Sequence, residues 1–200
     1  MKAKTLPSRA VALAIVSVMF SAGAAAACDV DKAGFDLTLA EAQSVYECIE
    51  DSLNAGYQGG NLNWIPEDFV RDYKSWKLAS TAPAAPGFHS NRFLLTYVND
   101  VGFEAYTKYE EDPVIPAGTV IAKESFGVND EGKVRPGPLF IMQKAEPGAS
   151  PETLDWYYMA VSTGGNAMAI NVMTACNDCH IGFDYQGGMG YPVEEARLPN

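Results

Sequence analysis

The sequence predicts an α+β fold in which helices flank an antiparallel β-sheet. Three observations carry this reading. Four segments rich in β-branched and aromatic residues follow one another between Arg92 and Val161. Turns, short proline-containing loops and, between the first two, one short helical stretch separate them, which suits antiparallel neighbours better than the long crossovers of parallel strands. An amphipathic helical pattern precedes these segments and a shorter helical stretch follows them. The chain shows no internal repeat and no low-complexity segment.

Taken in order, Lys2, Lys4 and Arg9 form a basic region before the apolar run Val11 to Phe20, and the small residues Ala22 to Ala27 offer a cleavage site before Cys28. Residues 1–27 therefore read as a secretory signal peptide, and their apolar run is too short for a comfortable membrane span. Export to the periplasm follows. Lipidation of Cys28 is the lesser alternative, because Ala25 stands where a lipidation site usually has Leu. In an oxidising compartment Cys28 and Cys48 are expected to pair as a disulfide.

Thr38-Leu39-Ala40-Glu41 is a capping box, and apolar residues recur at helical spacing behind it, so a helix is expected over 39–55, ending before Gly56. A Gly- and Asn-rich loop leads to Pro66, where a short helix begins with Glu67 and Asp68 at its positive end and runs to Lys74 or Trp76. Pro83 and Pro86 mark residues 79–90 as loop. Strands are expected over Arg92–Val98, Thr119–Phe126, Leu139–Gln143 and Trp156–Val161. Between the first two, Asp100 is placed to cap a short helix over Val101–Tyr109. The final helix is expected from about Asn166 into the last cysteine pair.

That pair lies in Cys176-Asn177-Asp178-Cys179-His180, the C-x-x-C-H spacing used to attach a c-type haem. The two thiols form thioethers to the haem vinyl groups, and the adjacent histidine ligates the iron. Half a zinc ribbon would need a second close ligand pair, which Cys28, Cys48 and His89 do not supply. A redox C-x-x-C would sit early in a βαβ unit rather than at the end of the chain. One covalent haem c held by Cys176, Cys179 and His180 is the reading, with His180 as metal ligand. Small electron-transfer cytochromes carry the motif early, and four-helix cytochromes have no strands in the middle. The chain thus reads as an α+β haem domain whose distal face is built by the sheet. With residues 1–27 removed, eleven basic residues face twenty-five acidic ones. That balance argues against nucleic acid or an anionic membrane as partner and favours a basic redox partner protein.

The chain resembles the cytochrome P-460 family, which includes cytochrome c′-beta. The resemblance rests on Tyr73-Lys74-Ser75-Trp76, on His89-Ser90-Asn91-Arg92 leading into Tyr97-Val98-Asn99, and on Pro116 to Glu124 with its Gly-Thr-Val-x-x-Lys-Glu strand. It continues through Trp156-Tyr157-Tyr158 to the terminal motif and Tyr191-Pro192. Residues 28–72 lie outside it, so the chain divides into a signal peptide (1–27), an N-terminal helical extension (28–72) and a haem domain (73–200). The resemblance implies an antiparallel sheet with flanking helices and, in members that oxidise hydroxylamine, a lysine joined covalently to the porphyrin. Lys123 occupies that position, and strand alternation sets it with Ile121 and Ser125, opposite Val120, Ala122 and Glu124. The plainer reading is a strand Lys and Glu in ordinary ion pairs. Arg92 resembles a family arginine near the haem, or is a surface residue opening a strand.

The function expected is that of a periplasmic haem protein with an open iron position for hydroxylamine or nitric oxide. Lys123 and Arg92 act in catalysis, and Lys123 also binds the cofactor. The alternatives are a nitric-oxide-binding protein without enzymatic activity and an electron-transfer cytochrome with a sixth ligand from Met142, Met159, Met168, Met173 or Met189. Gln143, Glu146 and Asp184 are candidates for a distal acid or base, while His89, in a proline-containing loop, reads as an exposed loop residue in preference to a distal ligand or proton shuttle. A homodimer is compatible with the resemblance.

Overall fold

The computed structural model describes residues 28–85, 87–168 and 172–199, apart from the side chains of 172 and 173. The proposed signal peptide lies outside the described residues. Among those described, no helix is long and apolar enough to cross a membrane.

The first helix, α1 (Leu39–Tyr57), starts where the capping box placed it: the Thr38 hydroxyl accepts from the Glu41 amide, and the Glu41 carboxylate accepts from the Thr38 amide. It runs two residues past the expected stop. Tyr57 is fully buried and its hydroxyl donates to the Gly137 carbonyl at 2.8 Å, so tertiary packing carries the helix through Gly56. A Cβ at Gly56 would stand 2.4 Å from the Thr163 carbonyl oxygen, which makes glycine there a packing requirement. The short helix α2 (Glu67–Arg71) continues as a 3₁₀ turn over Tyr73–Ser75.

Six strands form one antiparallel sheet: β1 (Lys77–Leu78), β2 (Phe93–Val98), β3 (Val120–Val128), β4 (Val134–Pro136), β5 (Leu139–Lys144) and β6 (Trp156–Val161). The order is β1-β2-β3-β5-β6, with β4 pairing the far end of β3. The four longer strands match the expected ones within two residues; β1 and β4 are too short to show a period of two. Helix α3 (Phe103–Thr107) lies between β2 and β3. Its entrance is held by Asn99 and not by Asp100: the Asn99 side chain accepts from the Gly102 and Val120 amides and thus ties the helix to β3. Asp100 is exposed and pairs with Lys77 at 3.0 Å.

Each face of the sheet builds its own core. On one, Ala42, Val45, Ile49 and Leu53 of α1 pack against Leu95, Tyr97, Ala122 and Ile141. The segment 28–72 is therefore packed on the sheet and shares its core. A Cys28–Cys48 disulfide ties the start of the described chain to α1, and it consumes the sulfur that a lipid anchor would need. On the other face, Val98, Ile121, Met142 and Tyr158 form a cross-strand row that packs with Tyr106, Trp156 and Met189. Residues Ser162–Asn166 form a turn and Ala167 bridges back to Val161, so the expected final helix does not begin at Asn166. It appears instead as a π-helical segment (Val172–Asn177) running into α4 (Asp178–His180) and a 3₁₀ stretch over Ile181–Gln186.

The α1 face buries one carboxylate, Glu124, which is 1 % exposed. Its carboxylate accepts from the Tyr73 hydroxyl at 2.6 Å, from the Tyr46 hydroxyl, and from the Lys74 ammonium at 3.3 Å. Lys74 also reaches Glu50 at 2.6 Å and the Tyr97 hydroxyl at 2.7 Å. Burial alone would lower the Lys74 pKa, but these partners raise it on balance and keep it charged.

Glu124→Ala takes the carboxylate acceptor from two buried hydroxyls and one of its partners from the half-buried Lys74 ammonium, which keeps Glu50. It is expected to cost about 3–5 kcal/mol, the scale for breaking a buried pair, read from the urea midpoint. A second prediction concerns the capping box. The Lys32 ammonium, followed by the Thr38 amide and hydroxyl, holds the Glu41 carboxyl at about 2, below its ordinary 4.5. A depressed carboxylate stabilises above its unfolded pKa and loses that effect as pH falls through the folded one. Glu41→Gln should therefore be less stable than the wild type at pH 7, with the gap closing between pH 4.5 and 2 in chemical denaturation series.

Candidate functional site

Strand alternation places the site. Thr96, Lys123 and Phe140 are cross-strand partners, one row along from Val98, Ile121, Met142 and Tyr158. These side chains face away from α1, and with the segment 175–193 they enclose a cavity of about 230 Å³. Cys176, Cys179 and His180 all line it. Neither cysteine is in a disulfide; Cys176 is half-buried and Cys179 exposed.

The His180 ring is buried, and its Nδ1 lies 2.6 Å from the Gly188 carbonyl oxygen. A carbonyl only accepts, so Nδ1 carries the proton and Nε2 is left as the ligating nitrogen. Burial, with Lys123 adding to it, lowers His180 to about 4, so the ring is neutral as ligation requires. Its face packs against Tyr158, with ring centroids 5.2 Å apart.

Lys123 is 6 % exposed. Its Nζ lies in the same cavity and donates to the Gly190 carbonyl at 2.7 Å and the Met189 carbonyl at 3.2 Å. Burial lowers it to about 8, far from the ordinary 10.5. That shift raises the share of neutral, nucleophilic amine near neutral pH. The strap Gly188–Gly190 thus holds both the His180 imidazole and the lysine. Met189, fully buried in the second core, anchors it. Gly190 has φ +62°, and a Cβ there would lie 3.8 Å from the Lys123 amine and 3.9 Å from the His180 ring.

The remaining candidates fall in different places. Arg92 does not share this cavity. Its guanidinium lies beside Gly127 and Gly137, on a second cavity of about 780 Å³ that Arg135, Asp130 and Glu131 also line. Ala84 and Val193 belong to both walls. Met142 and Met159 line the first cavity, Met168 and Met189 do not, and the Met173 side chain is outside the described residues. Gln143, Glu146 and Asp184 are not on the cavity wall, and no Asp or Glu is among the described residues that line it. His89, expected to be exposed, is half-buried with its ring on the cavity wall, 4.5 Å from the ring of Phe140. Burial, then the charges of Lys123, His180 and Arg92, pushes it down to about 3. The local signal was Ser90-Asn91, residue types suited to a tight turn that swings the preceding side chain inward.

The donor set fits a c-type haem. Two unpaired thiols flank a neutral imidazole with its Nε2 unspent, and the facing wall of Leu94, Ile121, Phe140 and Met142 is apolar, as a porphyrin plane requires. Among the described residues no three His, Cys, Asp or Glu side chains converge on a common metal position.

Comparison with protein families agrees with this geometry. The family model described as Cytochrome P460 matches residues 70–186, more than half of the chain. No curated protein matches it. The matched stretch includes β1 to β6, Lys123 and the C-x-x-C-H motif, and it stops just before the strap.

Gly190→Ala forces an L-residue into the left-handed region. It should cost about 1–2 kcal/mol in a denaturant titration while leaving the helical circular dichroism intact.

Proposed function

Because the chain belongs to the cytochrome P460 family and is a haem cytochrome of that kind, we propose that it carries one haem c on Cys176, Cys179 and His180 and performs redox chemistry on hydroxylamine or nitric oxide. The observation that carries this reading is the Lys123 amine, buried in the cavity that the two thiols and His180 line. The haem iron supplies the redox centre and a coordination position for a nitrogen-bearing ligand. His180 holds the iron from Nε2, with its tautomer set by Gly188. Lys123, held by the strap and partly neutral, would be joined to the porphyrin by a C–N bond that replaces one N–H and one porphyrin C–H bond. Two protons and two electrons would pass to an external oxidant, and the link would perturb the porphyrin's electronics.

The Cys28–Cys48 disulfide supports an oxidising compartment, and with the basic and apolar leader it makes the periplasm the proposed location. Exposed Asp178 and Asp184 flank Cys179 and His180, and the backbone of exposed Asp112 bonds to Tyr185 nearby. This acidic rim suits docking of a basic redox protein that takes up electrons.

One observation favours a second reading. The described cavity wall carries no carboxylate to accept protons and is largely apolar, which suits a protein that binds nitric oxide without turning it over. The two readings separate on the haem-bearing peptides of the denatured protein. The enzyme reading predicts a peptide containing Lys123 linked through haem to the Cys176–Cys179 peptide. Fully haem-loaded protein with an unmodified Lys123 peptide would leave the gas-binding reading. In either case Cys176→Ala with Cys179→Ala should abolish haem on the 176–180 peptide, measured as loss of the haem mass from that peptide of the denatured chain; haem retained on it would refute the attachment site.

A further inference from the structure

We propose that His89 is a displaceable second ligand of the haem iron, holding the position opposite His180 until a small ligand takes it. This rests on the haem reading given above and concerns how access to that iron is controlled.

The spacing of the two rings carries it. The centres of the His89 and His180 rings lie 6.2 Å apart, and both residues line the cavity. In a five-membered ring with bonds of about 1.35 Å, each nitrogen lies about 1.15 Å from the centre. Two metal–imidazole bonds of about 2.0 Å then set the centres of two rings on one metal about 6.3 Å apart. A direct hydrogen bond between the rings would bring the centres to about 5.2 Å. An iron, its bound ligand and a hydrogen bond to the second ring would need clearly more room. The gap fits one metal atom. The ring planes cross at 79°, which rotation about either metal–nitrogen bond permits.

The chemistry of the groups agrees. His180 spends Nδ1 on the Gly188 carbonyl and keeps Nε2 for the iron. His89 makes no hydrogen bond among the described residues, so its nitrogen lone pair remains for a metal. The Lys123 amine, by contrast, is engaged by the Met189 and Gly190 carbonyls. Phe88 meets Phe183 edge-on with ring centres 5.4 Å apart, which clasps the loop of His89 to the segment that follows His180.

The backbone makes the ligand displaceable. His89, Ser90 and Asn91 have φ of 53°, 58° and 56°, three successive L-residues in the left-handed region. Strain of this kind gathers at ligand clamps and switch segments, and departure of the ring relieves it. Gly87, at the start of the turn, has φ +80° and open space where a Cβ would stand, so the loop has room to withdraw. The exchange breaks one iron–nitrogen bond, forms another to the incoming ligand, and moves no electron.

The test uses haem-loaded wild type, His89→Ala and His89→Phe, each confirmed by mass to carry covalent haem, with nitric oxide as probe. The phenylalanine variant keeps a ring against Phe140 and serves if the alanine variant loads haem poorly. The ferric wild type is expected to be low-spin and six-coordinate by electron paramagnetic resonance, and both variants high-spin. Added imidazole should return the alanine variant to the low-spin state. Nitric oxide uptake by the ferric wild type should level off with concentration, at the rate at which His89 leaves. In the alanine variant it should rise in proportion to concentration. The apparent affinity of that variant should be about tenfold higher, the factor for a site closed in about nine molecules of ten. A high-spin ferric wild type overturns the role of His89 and leaves the open iron position standing. Variants that stay low-spin overturn it by showing that another side chain, such as Met142 or Met159, is the ligand. A low-spin wild type that takes up no nitric oxide overturns displacement together with the coordination position proposed above.

Discussion

The structure depends on the register of one strand. In β3, consecutive residues Lys123 and Glu124 point to opposite faces of the sheet. Glu124 is gripped by Tyr46, Tyr73 and Lys74, so α1 and the 3₁₀ turn after α2 are fastened to the sheet through one buried carboxylate. A slip of one residue would turn that carboxylate into the cavity lined by Cys176, Cys179 and His180 and bury Lys123 against α1. Satisfying Glu124 on one side is thus what aims Lys123 on the other. The two halves of the Lys-Glu pair have separate roles, and the helical segment before residue 73 matters to the site although it never touches it.

The C-terminal strap completes the arrangement from the opposite side. Its three residues hold the His180 imidazole through Gly188 and the lysine through Met189 and Gly190, while the Met189 side chain fills the second core. The strap therefore couples the two groups proposed to touch the haem. A change in one is transmitted to the other by a short stretch of backbone and not by a long path through the sheet. Tyr106 adds to this by donating to the Gly190 carbonyl from α3.

Much of this was legible in the sequence. The capping box, the four longer strands, the disulfide pair and the facing of Lys123 all follow from local pattern, because each depends on residue type and spacing alone. What was not legible depended on contacts between distant segments. Helix α1 overruns Gly56 because Tyr57 is drawn to Gly137, eighty residues away. Asn99 and not Asp100 holds the start of α3 because its side chain also serves the first amide of β3. His89 looked like a loop histidine because no periodicity governs a turn, and only the fold shows what lies beneath it. Arg92 directly precedes β2, which starts one residue later than expected, and its side chain lies on the neighbouring cavity, a choice of rotamer and face that sequence spacing does not determine.

The central claim is that this strand register places the haem between the C-x-x-C-H segment and the sheet face bearing Lys123. Anomalous diffraction at the iron edge from crystals of the haem-loaded protein tests it directly. A single iron peak is expected in the cavity, bonded to His180 Nε2, with the porphyrin edge against the Lys123 amine. An iron peak outside that cavity, or a porphyrin whose edge is remote from Lys123, would contradict it.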